Sequence, residues 1–315
     1  PRFGTDLLGS TKIAMYAEHF GLSEKPFGLT PNTAFFINTV GHCDAFNMLQ
    51  VALDDGEGFI KVVGEVGTGK TLLCRKLLNA LGDNYYTAYI PNPFLKPAAL
   101  YRAVADELGI KSRTRDGINE YQQAINKRLV ELVGEGKKVV LVIDEAQAIP
   151  PKTLEALRLI SNLETETRKL IHIVLFGQPE LDRMLEHHSL RQLRQRIGFS
   201  CQLPPLDRDS TRDYVNHRLS MAGYNGTQLF DDRAMDMLFQ VSNGVPRLIN
   251  TLCHKTLMCG YGNGVQRIDK SHVIAAIKDT EDLSLPNTWL NKVAPVTAVI
   301  SMVVVGLYFF LGGVG

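Results

Sequence analysis

The densest chemistry in the sequence is the run Gly64-Glu65-Val66-Gly67-Thr68-Gly69-Lys70-Thr71, which fits the phosphate-loop pattern G-x4-G-K-[ST] without a mismatch. Each residue type has a task. The glycines let the backbone turn its N–H groups inward around phosphate oxygens. The helix that begins there, with Leu72 in its first turn, points its positive end at the anion. Lys70 is expected to reach the β- and γ-phosphates of a nucleotide, and the Thr71 hydroxyl to ligate Mg²⁺.

A second constellation follows. Val139 to Ile143 is a continuous apolar run, and Asp144-Glu145 comes directly after it. In that position Asp144 is expected to hold Mg²⁺ through its water shell, and Glu145 to polarise an attacking water as general base. Asn92, after an earlier apolar run, either restrains Glu145 or makes an ordinary turn. Gln178 is a candidate to contact the γ-phosphate or the attacking water. Arg191, Arg194 and Arg196 form a cationic stretch. A fixed guanidinium stabilises charge on a transferring phosphoryl group, so Arg194 or Arg196 is a candidate arginine finger reaching a neighbouring subunit. Arg247, in Gly244-Val-Pro-Arg247, opens a later helix and is expected to meet the same γ-phosphate.

These residues need elements to hold them. Strands are predicted at 59–63, 86–90, 139–143, 171–176 and 199–203. Helical spacing fills the gaps at 71–81, 97–108, 118–133, 152–163 and 180–186. Strands separated by helices argue for a parallel α/β sheet with helices on both faces. After Pro204-Pro205 the texture becomes helical, at 210–221, 231–242, 245–258 and 271–280, with Asp209 and Asp231 as expected N-caps. The expected organisation is an α/β nucleotide-binding domain at 15–205, a small all-α lid domain at 206–281 and a linker at 282–292. Residues 1–14 read as an upstream extension or cloning remnant, with Met15 a natural start.

Composition fits this picture. The 315 residues are 45% hydrophobic and 21% charged, with a formal net charge of +1, so no global basic signature points to nucleic acid. Cys43, Cys74, Cys201, Cys253 and Cys259 form no C-x-x-C pair and are expected as reduced thiols. Nothing near His187-His188 completes a metal set. From Val293 to Gly315 no residue is charged. About 20 such residues span a hydrocarbon core as a helix, so 293–313 is predicted as a transmembrane segment, with Trp289 and Lys292 as interfacial anchors.

Several stretches together resemble the ExeA/GspA-type AAA+ ATPases. They are Lys25-Pro-Phe-Gly-Leu-Thr-Pro-Asn32, the phosphate loop, Asp144-Glu-Ala-Gln147, Leu157-Arg-Leu-Ile-Ser-Asn-Leu-Glu164, Gly177-Gln-Pro-Glu-Leu181, Leu193-Arg-Gln-Arg-Ile197 and Pro246-Arg-Leu-Ile-Asn250. Tyr89-Ile-Pro-Asn-Pro93 and Ala222-Gly-Tyr224 are similar to the branch serving MSHA-type pili. The resemblance implies a P-loop AAA+ fold, ATP and Mg²⁺ as ligands, and ATP hydrolysis. It also implies self-association into a ring and assembly proteins of a type IV pilus or type II secretion apparatus as partners. The place implied is the bacterial inner membrane, with the ATPase body cytoplasmic. AAA+ proteins use the segment before the first strand to hold adenine, which brings in Phe27 and Leu29. The alternative is a DNA-associated AAA+ regulator of the transposition ATPase type, with the arginines facing DNA phosphates. The neutral net charge makes nucleic acid the less expected partner.

Overall fold

The computed structural model describes residues 16–29, 35, 37, 39–111, 117–164, 169–281 and 283. Five strands, β1 (Phe59–Gly64), β2 (Tyr85–Ile90), β3 (Lys138–Ile143), β4 (His172–Gly177) and β5 (Ile197–Leu203), form one sheet in the order β2-β3-β4-β1-β5. Every pairing is parallel. Strand β3 shows why. Its side chains alternate between faces, and both faces are covered, so the whole run must be apolar.

Val139, Leu141 and Ile143 join one core with α3 (Pro97–Glu107), α4 (Ile118–Gly134), α5 (Pro151–Ile160) and α6 (Pro179–Leu185). Val140 and Val142 join the other, with α1 (Val40–Asp54) and α2 (Lys70–Ala80). Each such aliphatic side chain contributes about 1.5–3 kcal/mol by leaving water. The C-terminal ends of β1, β4 and β3 therefore lie side by side on one edge of the sheet, the usual ligand edge of parallel α/β folds. The one-turn α7 (Arg191–Arg194) precedes β5.

Four later helices, α8 (Arg208–Met221), α9 (Asp232–Ser242), α10 (Pro246–Gly262) and α11 (Lys270–Lys278), build a separate apolar cluster. Tyr16, Phe20, Phe27 and Phe35 belong to that cluster, so the N-terminal segment packs with the late helices and not with the sheet.

Several details differ from what the sequence predicts: α5 stops at Ile160, short of 163, and α10 runs to Gly262, past 258. Helix α1 was not expected. The N-cap of α8 is Asp207, which accepts from the Ser210 backbone N–H at 2.7 Å, whereas Asp209 sits inside the first turn. Asp231 does cap α9. All five cysteines are free thiols. Among the described residues no helix is long and apolar enough to cross a membrane, and the predicted span 293–313 lies outside them.

Candidate functional site

The phosphate loop leaves β1 and enters α2. Gly67 and Gly69 have φ of 82° and 99°, left-handed values that a side chain would strain. A Cβ on Gly69 would also stand 2.9 Å from His42 Nε2, and one on Gly67 would stand 2.6 Å from the Arg247 Cβ. Gly69 is the N-cap of α2 and has no side chain to accept from the first-turn N–H groups, which suits an anion there. Behind the loop, His42 donates Nε2–H to the Thr68 carbonyl (3.0 Å), and its Nδ1 accepts from the Thr39 hydroxyl (2.7 Å). That tautomer follows from the partners. Burial holds His42 below its ordinary pKa.

Lys70 is buried, and its Nζ donates to the carbonyls of Gly64 and Glu65, each at 2.8 Å. Burial lowers its pKa, while Glu145, Asp144, Glu65 and Glu180 pull the other way. Asp144 is buried too. Its carboxyl is pushed up by burial, against hydrogen bonds from the Thr71 hydroxyl and the Glu145 N–H. Both charged forms are short of water. A phosphate beside Lys70 and a divalent cation beside Asp144 and Thr71 would each relieve this. Among the described residues no cluster of three or more His, Cys, Asp or Glu side chains forms a protein cage for a metal. A hydroxyl and one carboxylate suit Mg²⁺, which keeps waters and takes substrate phosphates as its other ligands.

A cavity of about 340 Å³ opens over these groups. It is lined by Val66, Gly67, Thr68, Gly69, Lys70, Thr71 and Leu72 from the loop and α2, by Glu145 and Gln178 from the ends of β3 and β4, and by Arg247 from α10. The Arg247 backbone N–H donates to the Gly67 carbonyl at 3.2 Å, so the first turn of α10 is tied to the phosphate loop. Gly64 and Glu65 contribute carbonyls to Lys70 from outside the lining, and Asp144 lies beneath Thr71. Arg194 and Arg196 are exposed and do not line the cavity; Arg196 donates to the Ser161 hydroxyl at 3.2 Å.

Glu145 has φ 53°, uncommon for a residue with a side chain. Its Oε2 accepts from the side-chain amides of Gln147 (2.5 Å) and Gln178 (3.1 Å). Asn92 is exposed, and its amide oxygen accepts from the Phe94 N–H at 3.3 Å, so it makes the turn alternative. Phe27 is buried edge-on against Phe230, away from the cavity, whereas Leu29 lines it.

The far wall escaped the sequence reading. Arg218 on α8 is buried and donates to the carbonyls of Pro26 (2.6 Å) and Gly28 (3.4 Å) and to the Tyr214 hydroxyl (2.8 Å), with Phe35 stacked on its guanidinium. Tyr214 in turn donates to Asn250 (3.1 Å). The only signal in the sequence was Tyr214 and Arg218 at helical i, i+4 spacing.

A family model described as an AAA domain matches residues 53–185. The general secretion pathway protein A of Aeromonas hydrophila is 38% identical over 275 residues, covering 87% of this chain and 50% of that protein. The chain thus spans about half the length of that curated relative. The Aeropyrum pernix ORC2 protein in ADPNP–ADP complexes superposes with a TM-score of 0.59 at 17% identity, over 83% of this chain and 74% of that one. The Aeropyrum pernix ORC1 protein in complex with DNA gives 0.54 at 21%, over 76% and 64%. The sheet, the loop and these likenesses make the fold that of a P-loop ATPase of the AAA kind.

Proposed function

We propose that this chain binds and hydrolyses ATP with Mg²⁺ in support of a type II secretion apparatus, and more narrowly of MSHA-type (type IV) pilus assembly. The observation that carries the enzymatic part is one cavity lined by the phosphate loop, Glu145, Gln178 and Arg247. Lys70 binds the β- and γ-phosphates there. Thr71 and Asp144 hold Mg²⁺, which neutralises phosphate charge when bound. Glu145 takes the proton of the attacking water, and Gln178 orients that water or the γ-phosphate. Arg247 meets the γ-phosphate from the helical unit of α8–α11, which acts as a lid. Arg196 or Arg194 reaches the site of the next subunit in a homo-oligomeric ring.

The secretion setting is supported by the likeness to general secretion pathway protein A. The inner-membrane location, with the ATPase body cytoplasmic and 293–313 as tether, adds the apolar run of the sequence.

The test is hydrolysis by the purified chain. Lys70→Ala is expected to lose nucleotide binding. Glu145→Gln is expected to keep binding and lose turnover by about 10²-fold or more. Unimpaired turnover in Glu145→Gln overturns the reading of Glu145 as general base, and no turnover above background in the wild-type chain overturns the enzymatic reading. Capture of the ATP-loaded Glu145→Gln form with its membrane partners tests the setting: recovery of secretion or pilus assembly proteins is expected.

The second reading, a DNA-associated regulator, draws on the fold shared with ORC1. Salt-dependent gel-shift binding would favour it.

A further inference from the structure

We infer that Gln147 is a positioning residue that selects which carboxylate oxygen of Glu145 faces the cavity and holds it in register with Gln178. The proposal rests on the reading of Glu145 as general base.

Gln147 lies in the short 3-10 turn Ala146–Ala148, just past β3. Its Nε2 donates to Glu145 Oε2 at 2.5 Å, and its Oε1 accepts from the Gln178 backbone N–H at 3.0 Å. The Gln178 side-chain amide donates to the same Glu145 oxygen at 3.1 Å. The three bonds close a ring across the ends of β3 and β4. Glu145 and Gln178 line the cavity, while Gln147 does not, so Gln147 grips both from behind.

Both amide donors take Oε2. Among the described residues Oε1 accepts no hydrogen bond. A carboxylate free to rotate offers either oxygen in any direction, whereas one pinned at Oε2 presents the Oε1 lone pairs in a fixed place. The task needs a group that donates to a carboxylate and accepts from a backbone N–H at once, and a primary amide does both. Asn92, the residue the sequence suggested as partner of Glu145, is engaged in its own turn.

The full chain is compared as wild type, Gln147→Ala, Gln147→Glu and Glu145→Gln. Gln147→Glu keeps the acceptor for the Gln178 N–H and loses the donor to Glu145. For both Gln147 variants, affinity for a fluorescent ATP analogue is expected within about twofold of wild type. Saturated ATP cleavage is expected to fall about 10²-fold with KM unchanged. Adding Gln147→Ala to Glu145→Gln should cost nothing further. In nucleotide-free protein, the side-chain amide NMR resonance of Gln147 should move when Glu145 is replaced by Ala.

Wild-type cleavage by Gln147→Glu overturns the proposal. So does loss of affinity in step with turnover, or a Gln147 resonance indifferent to Glu145. Those failures leave the general-base reading standing. Unimpaired cleavage by Glu145→Gln instead removes that reading, and this role with it.

Discussion

At the residue scale the site is a set of buried charges and polar groups held by backbone carbonyls. Lys70 rests on two of them, and His42 props the phosphate loop through a third. Burial depresses the His42 pKa, so the folded state resists its protonation. The unfolded chain then binds more protons near the ordinary histidine pKa of about 6.5. The stability due to a neutral His42 is present above that pH and is lost as pH falls toward the folded value. His42→Gln, which still offers a donor to Thr68, should flatten the fall of Tm between about pH 7 and about pH 5. His172 and His254 are depressed by burial as well, so the slope should shrink and not vanish. An unchanged slope would remove His42 from this account.

At the element scale the join between the two parts of the molecule is the sensitive place. Asn243 and Gly244 follow α9 with φ of 48° and 72° and turn the chain into α10. Asn tolerates that region, but the Gly244 position has no room: a Cβ there would lie 1.8 Å from the Leu206 carbonyl oxygen. The same segment receives the Leu206 N–H on the Gly244 carbonyl at 2.9 Å. Gly244→Ala should therefore destabilise by about 2–4 kcal/mol, whereas Asn243→Gly should stay within about 1 kcal/mol. Thermal melts of the two variants check this, and equal melts would refute the clash.

Elements were legible in the sequence where their signal was periodic or motif-bound. The five strands fall within about two residues of expectation, because buried parallel strands must be apolar throughout; helix ends are less legible, α5 stopping three residues before its expected end and α10 running four residues past its own. Helix α1 was not read, although Ala45, Leu49, Ala52 and Leu53 give it an apolar stripe. It has neither a side-chain N-cap bond nor an acidic first turn to announce it. Asp207 and Asp209 look alike in sequence, and only the helix's entry geometry separates cap from first turn. Gln147 lies in the run Asp144-Glu-Ala-Gln147, but its task is not legible there, since nothing in a string of letters shows that two turns face each other.

At the scale of the whole molecule, the exposed arginines before β5 bear on assembly. Arg196 is held by Ser161 and does not line its own chain's cavity. If it serves a neighbour, Arg196→Ala should retain nucleotide binding and lose hydrolysis. Mixing it with Glu145→Gln subunits should then restore some turnover, since each variant supplies what the other lacks at a shared site. No rescue at any mixing ratio would count against a finger acting between subunits.

The hydrogen bond from the Arg247 N–H to the Gly67 carbonyl joins α10 to the loop that would grip phosphate. Thermodynamic linkage makes such a joint symmetric. If nucleotide changes the preferred seating of α8–α11, a partner that favours one seating changes nucleotide affinity by the same factor. A protein docked on those helices would act as an effector of the nucleotide site without touching it. Nucleotide affinity, measured with and without that protein, would give the strength of its grip on the machine.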